Sequence, residues 1–243
     1  MDKRFYDNQP LIIALDVETP EQALALVDQI GPAANFYKVG MELYAAGGPE
    51  IVRELLDRGL RVFLDLKLYD ISETVKRATR QISKLGVHFL TVHGSRSIMQ
   101  AAVEGRGNSV TQLLAVTVLT SLDREDLADL GYPASPAELV ALRVRKAAES
   151  GMDGIVCSPL EVAEVRRIGG PNLKLVTPGV RSAGAATGDQ KRVATPAEAV
   201  SAGADYLVIG RQVTRATNPR AACEEIFREI AATQATGRTL KLR

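Results

Sequence analysis

A lysine lies between two carboxylates in a short segment that contains Asp65, Lys67 and Asp70. Residues two apart on a β-strand share a face, so Asp65 and Lys67 are predicted to point the same way. The simplest interpretation is a solvated ion pair, which contributes less than about 1 kcal/mol to stability. The other is a catalytic pair, because carboxylates keep an enclosed ammonium charged and able to donate a proton. A metal site is disfavoured, because the ammonium of Lys67 would repel a divalent cation.

A second group of residues is suited to binding phosphate. Gly210 and Arg211 end an apolar segment; glycine lets backbone amides approach an anion, and arginine binds it through two hydrogen bonds. The segment 178–194 is long, rich in small residues, and contains Arg181 and Gln190. Because long loops in compact domains are often functional, we predict a lid that closes over phosphate; an ordinary surface loop is the alternative.

Eight apolar segments recur along the chain and are predicted to be strands. They are rich in Leu and β-branched residues and mostly lack polar alternation, which is typical of a parallel sheet covered on both faces. The segments are Leu11–Leu15, Phe36–Val39, Val62–Leu66, Phe89–Val92, Leu113–Val118, Gly154–Val156, Leu173–Val176 and Tyr206–Ile209.

Helix signals lie between these segments. Four predicted helix starts combine a hydroxyl cap, a proline and a Glu or Gln that can reach back to the cap; they begin at Thr19, Ser135, Ser158 and Thr195. Glycines that fit helix ends are Gly31, Gly59, Gly86, Gly151 and Gly203. The repeated unit is therefore strand, loop, capped helix and glycine.

Eight such units with no linker predict an α/β protein: a single (β/α)8 TIM barrel over residues 1–243. An open doubly wound sheet is the alternative, but it usually has a glycine-rich first turn, and residues 16–19 contain no glycine. A barrel carries its chemistry at the carboxyl ends of its strands. Asp16 and Lys38 lie at such ends beside Asp65, so we expect their charges to converge in one site.

Composition limits the partners and the compartment. The chain has 30 basic and 29 acidic side chains, so bulk charge would not attract nucleic acid. Two cysteines and two histidines make a disulfide framework and a histidine metal site improbable. No apolar run approaches the roughly 18 residues of a membrane span, and the amino terminus lacks a signal-peptide core. We expect a cytoplasmic enzyme that acts on a small phosphate ester without a cofactor, and no membrane or nucleic-acid partner.

The motifs, in their order along the chain, resemble those of the bacterial-type orotidine 5′-phosphate decarboxylases. The resemblance runs from about Leu11 to Arg215 and includes the Asp-x-Lys-x-x-Asp motif at 65–70. Its other motifs are Leu15-Asp16, Lys38-Val39-Gly40, Leu119-Thr120-Ser121, Thr177-Pro178-Gly179-Val180-Arg181, Gly188-Asp189-Gln190 and Gly210-Arg211. It implies a homodimeric TIM barrel, without cofactor or metal, that removes CO2 from orotidine 5′-monophosphate to give UMP, the last step of pyrimidine synthesis.

The resemblance also implies residue roles. Lys67 would protonate C6 of the pyrimidine, Asp65 would lie against the substrate carboxylate and hold Lys67, and Asp70 would enter the site from the partner subunit. Asp16 and Lys38 would bind the ribose hydroxyls, with Thr74 and Asp70 also near the ribose. The other substrate-binding residues would be Thr120 and Ser121 at the base, Arg181, Gln190, Gly210 and Arg211 at the phosphate, and Ile71 and Pro178 as further contacts. The chain has Ser72-Glu73 where this family commonly has Pro-Asn.

Two alternatives stay open at this point. Mg²⁺-dependent 3-keto-gulonate-6-phosphate decarboxylases and hexulose-phosphate synthases of the same suprafamily resemble the chain at 65–70. They need an acidic metal ligand around the second strand, where this chain has Lys38. A non-catalytic phosphate-sensing barrel is the other alternative, but it has no reason to place Lys67 between two carboxylates.

Overall fold

Within the described residues, eight parallel strands close into a barrel in chain order. The computed structural model describes residues 9–119, 122–182 and 194–240, with side chains to residue 232. The strands are β1 Leu11–Ala14, β2 Phe36–Gly40, β3 Arg61–Leu68, β4 Phe89–His93, β5 Gln112–Val116, β6 Gly154–Val156, β7 Lys174–Thr177 and β8 Tyr206–Ile209. Leu11 pairs with Leu207 and Ile13 with Ile209, so the first and last strands join. The predicted barrel is confirmed, and the open sheet is excluded.

Helices follow the strands and cover the outside of the barrel. They are α1 Pro20–Ile30, α2 Met41–Asp57, α3 Ser72–Ser83, α4 Arg96–Arg106, α5 Arg124–Asp129, α6 Pro136–Glu149, α7 Val162–Gly169, α8 Pro196–Ala202, α9 Arg211–Thr214 and α10 Pro219–Leu240. Short 3-10 turns span Gly31–Ala33 and Pro159–Glu161. None of the described helices combines the length and the apolar character that crossing a membrane requires.

The predicted helix starts form with two variations. Ser135 and Thr195 make complete capping boxes, and Ser158 caps the 3-10 turn that precedes α7. Thr19 caps α1 by accepting from the amide of Gln22, but the Gln22 side chain accepts from the amide of Glu18 rather than from that of Thr19. The five predicted helix-end glycines all have positive φ.

Strand β5 ends two residues earlier than predicted, at Val116 rather than Val118. The carbonyl of Thr117 accepts a hydrogen bond from the buried guanidinium of Arg143, and the Thr117 hydroxyl donates to the carbonyl of Val156 at 3.3 Å. Side chains therefore donate hydrogen bonds to the backbone carbonyls of Thr117 and Val156, which a longer strand would pair with backbone amides.

The core has two layers, and the inner one explains where the polar residues lie. Side chains inside the barrel are Ile12, Ala14, Phe36, Phe63, Phe89, Leu114, Val176 and Val208, while a larger cluster fills the space between strands and helices. Because side chains alternate along a strand, the inward position after Phe36 is Lys38 and the one after Phe63 is Asp65. The apolar inner layer thus forms the bottom of the barrel interior, and the charged residues lie above it at the carboxyl ends of the strands.

Candidate active site

An open cavity of about 470 Å³ lies at the carboxyl ends of the strands. Its lining contains eight of the residues predicted from the sequence: Asp16, Lys38, Asp65, Lys67, Pro178, Arg181, Gly210 and Arg211. Asp70, Ile71 and Thr74 are exposed and do not line this cavity. Thr120, Ser121 and Gln190 lie outside the described residues, as does most of the predicted lid at 178–194.

Four charges of alternating sign form a continuous array in the cavity. Lys38 Nζ lies 2.7 Å from Asp16 Oδ1 and 3.9 Å from Asp65 Oδ2. Lys67 Nζ lies 2.9 Å from Asp65 Oδ1. The side chains of Lys38 and Asp65 are only 11% and 15% exposed, so each needs an opposite charge nearby to offset the loss of water. The array meets that need and leaves Lys67, at 32% exposed, open to the cavity.

The backbone of Lys67 departs from a regular strand. Its φ is 49°, and it is the one non-glycine residue with positive φ in the described parts of the chain. The pairing of β3 with β4 shifts register between Leu64 and Leu68, which is a bulge. The left-handed conformation costs an L-residue roughly 1–2 kcal/mol. Leu66 packs outward as predicted. Lys67, however, lies in the bulge, so regular alternation along the strand does not by itself account for its position.

Basic side chains line the same cavity as the array. Arg181 and Arg211 line the cavity together with Arg215, which the sequence analysis missed. Arg215 follows Arg211 by four residues, and this spacing brings side chains to the same face of a helix, so the signal was available. Ser182 is tied to the start of α9, because its amide donates to Gln212 Oε1 at 3.1 Å. That contact brings the beginning of the predicted lid next to Arg211.

Glu42 and Cys157 also line the cavity and were not predicted. Glu42 is two residues beyond Gly40, which ends β2. A search for polar residues that included the first residues after each strand would have found it. Burial raises the pKa of the Cys157 thiol to about 12. Cys157 is therefore a neutral thiol at physiological pH and a poor nucleophile.

Asp70 lies apart from the array of its own chain. Its Oδ1 accepts from the amide of Ile71 at 2.6 Å, and among the described residues no ion pair joins it to Lys67 or Lys38. The neighbouring side chains of Tyr69 and Ile71 are 67% and 71% exposed. The Tyr69 ring stacks on His93, with 4.3 Å between ring centroids. Asp70 therefore lies on an exposed, partly apolar rim.

Comparison with known proteins shows which family the chain resembles. Residues 9–226 match the family model described as "Orotidine 5'-phosphate decarboxylase / HUMPS family". A protein of Nitrobacter winogradskyi named orotidine 5'-phosphate decarboxylase is 53% identical over 223 residues, covering 92% of this chain and 93% of that protein. A namesake from Rhodopseudomonas palustris is 53% identical over 226 residues, covering 93% of this chain and 95% of its own length.

A solved structure agrees with the sequence matches. The crystal structure of orotidine 5'-phosphate decarboxylase from Lactobacillus acidophilus has a TM-score of 0.82 and 37% identity, and the match covers 91% of this chain and 99% of that one. The chain therefore belongs to the orotidine 5′-phosphate decarboxylase / HUMPS family.

Proposed function

We propose that the chain is an orotidine 5′-phosphate decarboxylase, a carboxy-lyase that converts orotidine 5′-monophosphate to UMP and CO2 in the last step of pyrimidine synthesis. The observation that carries this function is that the charged array Asp16–Lys38–Asp65–Lys67 and three arginines line one cavity. A phosphorylated nucleoside can be bound at the arginines while its base reaches the array.

The phosphate end of the substrate supplies binding energy. Arg181 and Arg211 would bind the dianion through charge-assisted hydrogen bonds. Gly210 directly precedes Arg211 at the end of β8, and with no side chain of its own it leaves its backbone open to an anion. Energy from this remote group can be used to force the reacting carbon against the array. We extend the proposal to residues 178–194, which we assign as a lid that closes over the phosphate.

The array supplies the chemistry. The negative charge of Asp65 would repel the substrate carboxylate next to it. This repulsion destabilises the bound substrate and is relieved when CO2 leaves. The C6–carboxylate bond breaks, its electron pair stays on C6, and Lys67 donates a proton to that carbon. The amine of Lys67 then regains a proton from solvent. Fixed charges that oppose the ground state and favour the transition state account for the reaction without a cofactor.

We further propose that the enzyme is a homodimer in which Asp70 completes the array of the partner subunit. Asp70 makes no ion pair with its own array in the described structure, and it lies on a rim with exposed Tyr69 and Ile71. A two-fold dimer covers such a rim reciprocally. Both cysteines are free and buried, which supports assignment to a reducing compartment, the cytoplasm.

The Mg²⁺-dependent alternative is not favoured. Lys38 stands where those enzymes need an acidic ligand, and its ammonium lies within 4 Å of both Asp16 and Asp65. A divalent cation between these carboxylates would compete with that ammonium for the same oxygens. No group of three or more His, Cys, Asp or Glu side chains suited to a metal ion occurs in the described ranges.

The test is direct. Purified protein is mixed with orotidine 5′-monophosphate in the presence of EDTA, and loss of the substrate's ultraviolet absorbance is followed. Turnover that EDTA does not slow, with UMP as the product by chromatography, is the expected result. Absence of turnover would contradict the proposed reaction, and turnover abolished by EDTA but restored by Mg²⁺ would favour the alternative.

A further inference from the structure

We propose that Thr91 is a positioning residue for the decarboxylation, an inference that rests on the function proposed above. Thr91 lies in β4, its side chain is fully buried, and it does not line the cavity. Its effect on the reaction would therefore pass through Asp65 and Lys67 rather than through contact with the substrate.

One hydroxyl group contacts both members of the central pair. Thr91 Oγ1 donates to Asp65 Oδ1 at 2.8 Å and accepts from the backbone amide of Lys67 at 3.0 Å. The same Asp65 oxygen accepts from Lys67 Nζ at 2.9 Å. The hydroxyl thus holds the carboxylate at one end and the lysine backbone at the other, closing a small ring of hydrogen bonds.

The bulge in β3 explains why the lysine needs this contact. Leu64 pairs with Leu90, and Leu68 pairs with Val92. Three residues of β3 therefore lie opposite Thr91 alone, and the regular exchange of backbone hydrogen bonds is interrupted there. An enclosed amide without a partner is costly. The Thr91 hydroxyl gives the Lys67 amide an acceptor and so stabilises the left-handed backbone from which the ammonium reaches Asp65.

Valine has the shape of threonine but can neither donate nor accept. In a Thr91→Val variant the Lys67 amide and Asp65 Oδ1 each lose a partner, so the bulge and the carboxylate can adopt other orientations. Misplacement of a reacting group by about 1 Å can reduce the rate 10²-fold. The arginines and the rest of the cavity stay as they are, so binding of the product nucleotide should be preserved.

The experiment compares four variants with the wild type: Thr91→Val, Thr91→Ser, Thr91→Ala and Thr79→Val. Thr79, in α3, is also fully buried, and its hydroxyl has no hydrogen-bond partner among the described residues, so it is the matched control. For each protein we would measure kcat with orotidine 5′-monophosphate, the Kd of UMP, and folding by circular dichroism.

The expected result is a fall in kcat of about 10–100-fold for Thr91→Val, with the Kd of UMP within about twofold of wild type. Thr91→Ser, which keeps the hydroxyl, should recover most of the rate, and Thr79→Val should match the wild type. If Thr91→Val does not fold, the Ser and Ala variants make the same comparison, since they differ by the hydroxyl alone.

Two kinds of outcome would overturn the positioning role while leaving the proposed function intact. One is a wild-type kcat in Thr91→Val, or equal kcat values in the Ser and Ala variants. The other is an equal loss in Thr91→Ser, which keeps the hydroxyl, and Thr91→Val, which keeps the shape; any disturbance of packing at this position, rather than loss of the hydroxyl, would then account for the lower rate. An inactive wild type is a different result, because it would reject the proposed function and this inference together.

Discussion

Lys67 Nζ lies 2.9 Å from Asp65 Oδ1 although the backbone between them is not a regular strand. The contact combines a left-handed φ of 49° at the lysine with a carboxylate that is mostly enclosed. An ion pair at an exposed strand end would not require that conformation. The left-handed backbone of Lys67 is therefore unfavourable in itself, and it is the conformation that presents the ammonium to the cavity.

Replacement of Lys67 by alanine should abolish turnover and leave the barrel folded. Lys67 is the proton donor in the proposed reaction, and loss of an acid–base group typically reduces the rate by 10²–10⁴-fold. The measurements are kcat with orotidine 5′-monophosphate and the circular dichroism spectrum. A folded variant that keeps more than a few per cent of the wild-type rate, on that scale, would contradict the assignment of Lys67.

The same position should show a difference in stability between two inactive variants. Glycine adopts positive φ without strain, whereas alanine does not. Lys67→Gly should therefore have a free energy of unfolding about 1 kcal/mol larger than Lys67→Ala, as measured by urea denaturation. Equal values, or a more stable alanine variant, would show that the left-handed conformation is not retained once the lysine is removed.

The arginines should act through the phosphate. Arg211→Ala should lower kcat/KM for orotidine 5′-monophosphate by about 10–100-fold, as expected for lost charge-assisted hydrogen bonds. Arg215→Gln should lower it by less than about fivefold, because Arg215 lies beyond the last residue of α9 rather than directly after Gly210, and a charge without a direct phosphate contact is screened by water. Neither variant should change the slow turnover of the phosphate-free nucleoside.

Arg145→Gln is the control for these arginine variants, because Arg145 is exposed on α6 and does not line the cavity. It removes the same charge and should leave both activities unchanged. An equal loss in Arg145→Gln and Arg215→Gln would point to net charge rather than to a phosphate contact, and an unchanged Arg211→Ala would refute the assigned phosphate site.

The proposed sharing of Asp70 predicts recovery of activity in mixed dimers. Lys67→Ala and Asp70→Asn homodimers should both be nearly inactive. After exchange at equal amounts, half of the dimers are hybrids, each with one site that carries both defects and one intact site. Activity should therefore return to about one quarter of wild type by this symmetry, measured after the two variants are unfolded and refolded together.

A second mixture controls for nonspecific recovery. Lys67→Ala mixed with Asp65→Asn should give no activity, since both residues come from the same chain in every site and no hybrid site is intact. Mass spectrometry would verify exchange in both mixtures. If exchange occurs and the first mixture stays inactive, Asp70 serves its own chain.

His88 should make folding sensitive to acid. Its ring lies against Phe36, with centroids 5.1 Å apart. Burial first, and then the charges of Arg61 and Lys174, lower its pKa from 6.5 to about 4. The folded-state pKa is the lower one, so the stabilising effect is complete above about pH 6.5 and is lost as the pH falls towards 4.

The measurement is urea denaturation of the wild type and of His88→Gln at pH 7 and pH 4.5. Partial exposure of the ring screens the effect, so the wild type should lose about 1–2 kcal/mol more than the variant between these pH values. Parallel losses in both proteins would show that the His88 ring is not held in its neutral form.

Much of the barrel was predictable because its determinants are local. Runs such as Phe36–Val39, the caps at Ser135 and Thr195, and glycines such as Gly203 act over a few residues, and parallel strands place their carboxyl ends together. Alternation along each strand then placed Asp16, Lys38 and Asp65 in one cavity. These features follow from backbone geometry that the order of residue types already specifies.

Other features of the site depend on contacts between residues far apart in the chain. Thr91 is 24 residues from Lys67, yet its hydroxyl occupies the gap that the bulge opens, and no periodicity in the sequence marks either the bulge or its partner. The order of residue types thus specifies which elements form and which charges meet. The backbone conformation of Lys67 and the hydrogen bonds that hold it depend on tertiary packing, because a neighbouring strand must place a single hydroxyl at the bulge.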